Sequence, residues 1–587
     1  LKKDKFVFKF SRFCRTMACS AALVAAAMTF PAHATDLAKL DDPAIQQQLR
    51  DFALNKPRAM RDFQPFREAK TVESSEGKEI TLTSLNPAFN SWFLIDLKRT
   101  LRVTTTDTFH IELANPEDTI LSLSSSGDPA LVFDNNGAIF RCEPWTGRLT
   151  ELDRAKSSGL PYAPICDNNA FVRNVVRGNR SSREAVAEFL RDNVVFGESI
   201  VTLIKGSFYE DAYMSSGEVI DGGDAGEVAA SLGKATLSSH PVFRAYFGFE
   251  LEGADGGMQA GSWYAVKDAP GIYASAMQPG MIDRSILNRR GETHGLDGVE
   301  SRADVYLVAF DMTQFELGYE VGTDHPRLDW SPRPGVSRGN LPGPDGFRSS
   351  GAIVRTGMLN PALTERVAAT FAAGFKRSHG AWRASDKAFS NQGHHYGFLS
   401  NGVVFSRLHP GLSTIYVLDD GTIGMRTWTE ADEDLLPRLR FARQNGVPLI
   451  EPDPATGEGV PGSQVTSWLG GNWSGSAEAQ LRTLRGGTCM REVDGRQFLI
   501  YAYFSTATPS AMARTFQAYQ CDYAMLLDMN SQDHTYMALY TKTEGTPVPE
   551  HLVSGMSAVD LRTNSGQPIP RFVGFSDNRD FMYLLRK

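Results

Sequence analysis

Three two-residue signals constrain the fold of this chain more than any other feature: Asn401-Gly402, Asp420-Gly421 and Asp494-Gly495, each set between apolar runs such as "STIYVLDDGTIGMRTW" and "DGRQFLIYAYF". Asn-Gly and Asp-Gly adopt left-handed backbone conformations at little cost, and tight turns built from them twist with the strands they join. Each pair therefore predicts an antiparallel hairpin. Helical signals are interleaved with the turns. "NPALTERVAATFAAGF" has Asn360 as a cap, Pro361 in the first turn, Leu363, Val367 and Phe371 along one stripe and Gly374 as a stop. "TEADEDLLPRLRFARQNG" is acidic at its start and basic at its end, as a helix macrodipole prefers, with a kink expected at Pro437. "TPSAMARTFQAYQ" reads as a helix capped by Thr508, and "AMLLDMNSQDHTYMALY" as two strands around a polar loop. The expected class is α+β, with antiparallel sheets and packed helices.

At 587 residues the chain exceeds one core and divides on composition. Residues 1–34 read as a secretory signal peptide: a basic start, the apolar stretch "MACSAALVAAAMTF", too short to span a bilayer, and "AHA" as a small-residue cleavage site. Residues 35–165 predict a β-rich domain from short apolar runs such as "SWFLIDL" and "TILSLS". Residues 166–300 are mixed. They open on "SSREAVAEFLRDN", a helix with capping-box spacing from Ser181 to Glu184 and Val186, Phe189 and Leu190 on one face, followed by a strand-like "SIVTLI". A Gly-, Ser- and acid-rich linker lies near 214–238, and 240–300 belongs by pattern to neither neighbour. Residues 301–587 carry the hairpins and two of the three capped helices.

Without the leader's six basic side chains and one acidic one, 54 Lys and Arg stand against 67 Asp and Glu, a net charge of −13. Nucleic-acid binding depends on basic charge, so that partner is excluded, and no later stretch is apolar enough for a membrane span. Cys142, Cys166, Cys489 and Cys521 remain, and an exported chain permits two disulfides; pairing sequence neighbours is the simplest of three connectivities. No CxxC pair or HExxH occurs, so neither a metal nor another cofactor is expected. No G-x-S-x-G elbow occurs either, and "GNWSGS" around Ser474 lacks its glycine placement.

The order of elements in residues 300–587, the small residues and aromatic of "AAGF", "LRGGTCMREVDGRQFLIYAYF" and the closing "AMLLDMNS" resemble the phosphodiester glycosidase family. Gly374 and Phe375 match the family's glycine-aromatic turn, and Arg485 echoes its arginine segment. Asp528 and Ser531 match its Asp-Gly-Gly-Gly-Ser loop, with Met529 and Asn530 in place of glycines. The resemblance implies an exported hydrolase that cleaves a sugar-phosphodiester linkage in an envelope or extracellular glycan, in the periplasm or outside the cell. The alternative is an inactive glycan-binding or structural envelope protein of the same fold.

In a sugar phosphodiester the leaving group is already weakly basic, so the chemistry needs a carboxylate, as nucleophile or activator of water, and cations for the phosphate. Asp528, at the end of an apolar strand, is the candidate carboxylate, with His534 and His395 as further catalytic candidates. Neighbouring strand residues face opposite ways, so only one of His394 and His395 is expected in a given site. Arg485 and Arg491 are the candidate phosphate ligands, because a guanidinium holds two oxygens at once. Asn391, Ser531 and Asn530 complete the substrate-binding candidates, and Asp533 and Glu492 are candidates for a second carboxylate. The expected partner is a carbohydrate or sugar phosphate.

Overall fold

The computed structural model describes residues 59–587 except 76, 101–103, 182–183, 187–188, 190–209, 221–228, 290–292, 325–350, 375–396, 467–479 and 544–545. The leader, "SIVTLI", Leu190, Phe375, Asn391, His394, His395 and the Ser474 segment lie outside the described residues.

An N-terminal body is formed by a six-stranded antiparallel sheet, Glu68–Glu73, Glu79–Ser84, Trp92–Thr100, Thr104–Leu113, Ala170–Arg173 and Tyr162–Ile165 in spatial order, and a three-stranded sheet, Thr119–Ser124, Ala130–Asn135 and Ala138–Cys142. Period-two patterning explains their stacking: Leu121 and Leu123 turn inward beside Phe93, Ile95, Ile111, Leu131 and Phe133, while Ile120 and Ser122 face outward. A disulfide joins Cys142 to Cys166, Cα atoms 5.7 Å apart.

The larger body is built on an eight-stranded antiparallel sheet. Its spatial order is Tyr264–Ala265, Ile272–Met277, Val305–Asp311, Arg496–Ala507, Thr483–Val493, Tyr523–Met529, Pro448–Pro452 and Gly459–Pro461. Residues 264–277, unassignable by pattern, thus extend the sheet that holds the Asp494-Gly495 hairpin. A five-stranded sheet, Phe315–Glu320, Phe581–Arg586, Val367–Ala372, Met537–Thr543 and Thr546–His551, shares one core with it; Phe371 meets Tyr501 at 5.3 Å between ring centres. A third sheet runs Val403–Ser406, Phe398–Ser400, Leu439–Gln444, Ser413–Leu418 and Ile423–Thr427. The Pro509–Ala518 helix is capped as expected, Thr508 Oγ1 accepting from the Ala511 N–H at 3.2 Å. It sits so close to the sheet that a Cβ on Gly487 would lie 2.8 Å from Met512 and 2.9 Å from Phe516, which is why that strand position is glycine. A second disulfide links Cys489 to Cys521, just past the helix.

All three hairpins form. Asn401 and Gly402 have φ of 50° and 71°, and Asp494 and Gly495 have 51° and 74°. At Asp420-Gly421 only the glycine is left-handed, at 82°, in a wider turn closed by the Leu418 and Thr422 backbones. Two of the expected helices are instead short 3-10 turns that run into strands. Pro361–Arg366 leads into Val367–Ala372, whose six residues are all buried. A surface helix buries one stripe, whereas a run buried on every side is a strand between two layers. Glu430–Arg438, containing Pro437, leads into Leu439–Gln444, because proline removes the N–H that would continue a helix. In the expected 181–193 helix, residues 184–186 and 189 are helical, but Val186 and Phe189 are about 59% and 61% exposed instead of facing a core. The fold is therefore β-rich, with several antiparallel sheets and few helices. Among the described residues no helix is long and apolar enough to cross a membrane.

Candidate functional site

The Tyr523–Met529 strand has neighbours on both sides and buries all seven residues. Its last two residues, Asp528 and Met529, lead through a short polar turn to Met537–Thr543 in the five-stranded sheet, so the turn lies where the two sheets meet. Asn530 takes a positive φ of 81°, a conformation asparagine tolerates better than most residues. Its N–H donates to Leu484 O at 2.8 Å, and its Oδ1 accepts from Thr483 Oγ1 at 3.3 Å. Ser531 O accepts from the His534 and Thr535 N–H groups, each at 3.0 Å, and Ser531 Oγ donates to Asp533. A loop expected to be rich in glycine is thus closed by one asparagine and a set of side-chain bonds.

The centre of the site is Arg579, which precedes the Phe581–Arg586 strand. Its Nη1 donates to Asp528 Oδ2, and its Nη2 donates to Glu184 Oε1 at 3.0 Å and to His534 Nε2 at 2.8 Å. Because Nε2 is an acceptor there, the hydrogen-bond pattern assigns the imidazole proton to Nδ1, which donates to Met529 O at 2.8 Å. Asp528 Oδ1 accepts from the Met529 N–H at 2.9 Å. Burial opposes charge on Arg579, but Asp528, Glu184, Asp533 and Asp577 together raise its pKa above the ordinary guanidinium value. Burial likewise opposes ionisation of Asp533, yet the Ser531 and Ser181 hydroxyls and the charge on Arg579 hold its carboxyl well below the usual range.

The segment that carries Arg579 is itself pinned. Asp577 receives Arg571 through two bonds of 2.8 and 2.9 Å and accepts from the Arg579 N–H at 2.9 Å. Asp580 accepts from Arg443 Nε at 2.6 Å and from the Tyr319 hydroxyl at 2.7 Å. Gly357, at φ 59°, leaves no room for a Cβ against Asp577 O. These supports fix the position of the guanidinium.

The turn brings Asp528, Asn530, Ser531, Asp533 and His534 together. Arg485 does not join them. It lies opposite Met529 in the register, so its side chain leaves the sheet on the face away from Asp528, and it donates to Ala507 O and Leu481 O, each at 2.7 Å. Burial, partly offset by Glu300, pushes its pKa down to about 9. Arg491 lies toward the other end of the same strand and donates to Leu232 O and to Gln520 Oε1, each at 2.7 Å; burial lowers its pKa too. Glu492 is exposed beside Asp522. The cation beside Asp528 is Arg579, which the sequence reading passed over: "SDNRD" looks like an ordinary solvated turn, and only the apolar run after it, "FMYLL", hints that it enters a core strand.

No protein-family model matches the chain, and no curated protein matches it. Among solved structures, the catalytic domain of zebrafish N-acetylglucosamine-1-phosphodiester alpha-N-acetylglucosaminidase, auto-inhibited by its pro-peptide, is 9% identical, with a TM-score of 0.30 over 55% of this chain and 85% of that one. A Burkholderia pseudomallei protein described as exported is 11% identical, with a TM-score of 0.18 over 48% of this chain and 74% of that one. A hypothetical protein from Synechocystis is 10% identical, with a TM-score of 0.24 over 89% of this chain and 99% of that one. These are weak, fold-level likenesses.

Proposed function

We propose that this chain is an exported hydrolase of a sugar-phosphodiester linkage in an envelope or extracellular glycan. The observation that carries the reading is the meeting of Asp528, His534 and Arg579 at the end of a buried strand. In this reading Asp528 attacks the anomeric carbon or activates water, and Arg579 balances the phosphate charge. His534 accepts from Arg579 and thereby holds its fork in place. Glu184 sits on the guanidinium nitrogen that a phosphate oxygen would take, so substrate binding displaces that carboxylate. The two disulfides fit an oxidising compartment outside the cytosol.

One observation favours a second reading, a glycan-binding envelope protein without turnover. Asp528 is only about 3% exposed, and both its oxygens are already engaged, one by Arg579 and one by a backbone N–H. Sugar release from a nucleotide-sugar phosphodiester, compared with release from an aryl glycoside that lacks phosphate, separates the two. Hydrolysis of the phosphodiester alone supports the enzyme; saturable binding with neither substrate cleaved supports the binding protein.

A further inference from the structure

Between the N-terminal body and the larger one lies a cavity of about 340 Å³, within the size range of small-molecule sites, and none of the residues around Arg579 lines it. Glu112 reaches it from one side and Glu320 from the other, and both bind the buried Arg173. Glu320 is about 4% exposed, yet both hydrogen bonds it accepts, from Arg173 and Thr356, land on Oε1. Among the described residues its Oε2 has no hydrogen-bond partner, and Glu320 lines the cavity. That oxygen is not closed off from solvent, so it opens into the cavity and is free to accept from whatever occupies it.

The charge balance selects what that is. Six carboxylate residues line the cavity against three cationic ones. Of the cations, Arg366 is held by Glu316 at 2.8 Å, Arg440 by Glu117 at 3.4 Å, and Lys587 Nζ donates to Met312 O. Asp419 and Asp420 share Arg438, and Glu112 and Glu320 share Arg173, so the two pairs hold two carboxylates in excess of their arginines, of which Lys587 can offset only one. Leu317, Leu359, Phe441, Tyr583 and Leu585 supply apolar wall. We propose that this cavity binds a small amine-bearing polyol, an amino sugar or its reduced form, with the ammonium group on Glu320 and the carbon chain along the apolar wall.

The inference stands apart from the hydrolase reading and brings its own pH dependence. Glu320 is faced by Arg173, Glu112 and Tyr162 from the N-terminal body, by Tyr583 from the adjacent strand and by Tyr319 from its own. Burial, opposed by Arg173 and reinforced by Glu112, pushes its pKa up to about 7. The ionised form that attracts an ammonium group is therefore lost as pH falls through 7. The test is calorimetric titration of the full chain with glucamine, whose amine stays protonated across this range, and with sorbitol as its neutral counterpart. Glucamine should bind roughly tenfold more tightly at pH 8 than at pH 6, the ratio set by ionisation about a pKa near 7, and sorbitol should not bind. Glu320→Gln should abolish binding, and so should Leu363→Trp, which fills the cavity without touching the Arg173 network. Absence of binding at millimolar glucamine and pH 8, equal binding of sorbitol, or unchanged binding by a folded Leu363→Trp protein would each overturn the proposal.

Discussion

Replacing Arg579 with methionine removes the one cation shared by Asp528 and Glu184 while keeping most of the side chain's volume. All three side chains are at most 6% exposed, so the two carboxylates would be left in a low-dielectric site without compensation. Breaking a buried ion pair from one side costs about 3–5 kcal/mol, and the remaining Met529 N–H bond to Asp528 argues for the lower part of that range. Neutralising both carboxylates as well should recover most of the loss, because a buried ionic cluster exchanged for uncharged groups of similar volume is close to neutral. The assay is urea unfolding of Arg579→Met and of the triple variant Asp528→Asn, Glu184→Gln, Arg579→Met, followed by circular dichroism. A loss below about 1 kcal/mol in the single variant, or a triple variant no more stable than the single, would refute the argument that the cluster is held by mutual charge compensation.

Other expectations follow from individual sites. Asp533 has a folded pKa below its unfolded value, so its charge stabilises the fold above the ordinary carboxylate range and that contribution is lost as pH falls toward the folded pKa. Asp533→Asn should therefore be less stable than wild type at pH 7, with the gap closing below about pH 4 in urea titrations run at a series of pH values. Cys489→Ser with Cys521→Ser opens a loop of 32 residues and should cost about 3–4 kcal/mol, seen as a lower urea midpoint that matches the reduced wild type. Thr508→Ala removes the cap of the Pro509–Ala518 helix and should cost about 1 kcal/mol. Gly402→Val should cost more than that cap, since the position is left-handed and faces the Phe89 ring.

The turns were more legible than the segments between them. Asn401-Gly402 and Asp494-Gly495 declare their conformation locally, and Thr508-Pro509 declares a helix start, because capping and left-handed φ are properties of a few adjacent residues. "VAATFA" was misread because helical spacing of apolar residues also arises when every side of a strand is buried, and the layer that buries the second side comes from distant sequence, whereas "LRFARQ" was joined to the acidic turn before it by charge order although Pro437 ends that turn. The same division holds at the site. Asp528, Asn530, Ser531 and His534 share one short turn and could be grouped by eye, whereas Arg579 arrives from 51 residues away and Glu184 from the far side of the chain. Arg485 was grouped with Asp528 because it echoes the resembled family's arginine segment, but strand register turns its side chain to the other face.

The most direct test is the rate of sugar release from a nucleotide-sugar phosphodiester by wild type, Asp528→Asn, Arg579→Lys and Arg485→Lys. The account predicts turnover by wild type, a loss of at least a hundredfold in the first two variants and near-normal turnover in Arg485→Lys. Equal rates in wild type and Asp528→Asn, or a larger loss at Arg485 than at Arg579, would contradict it.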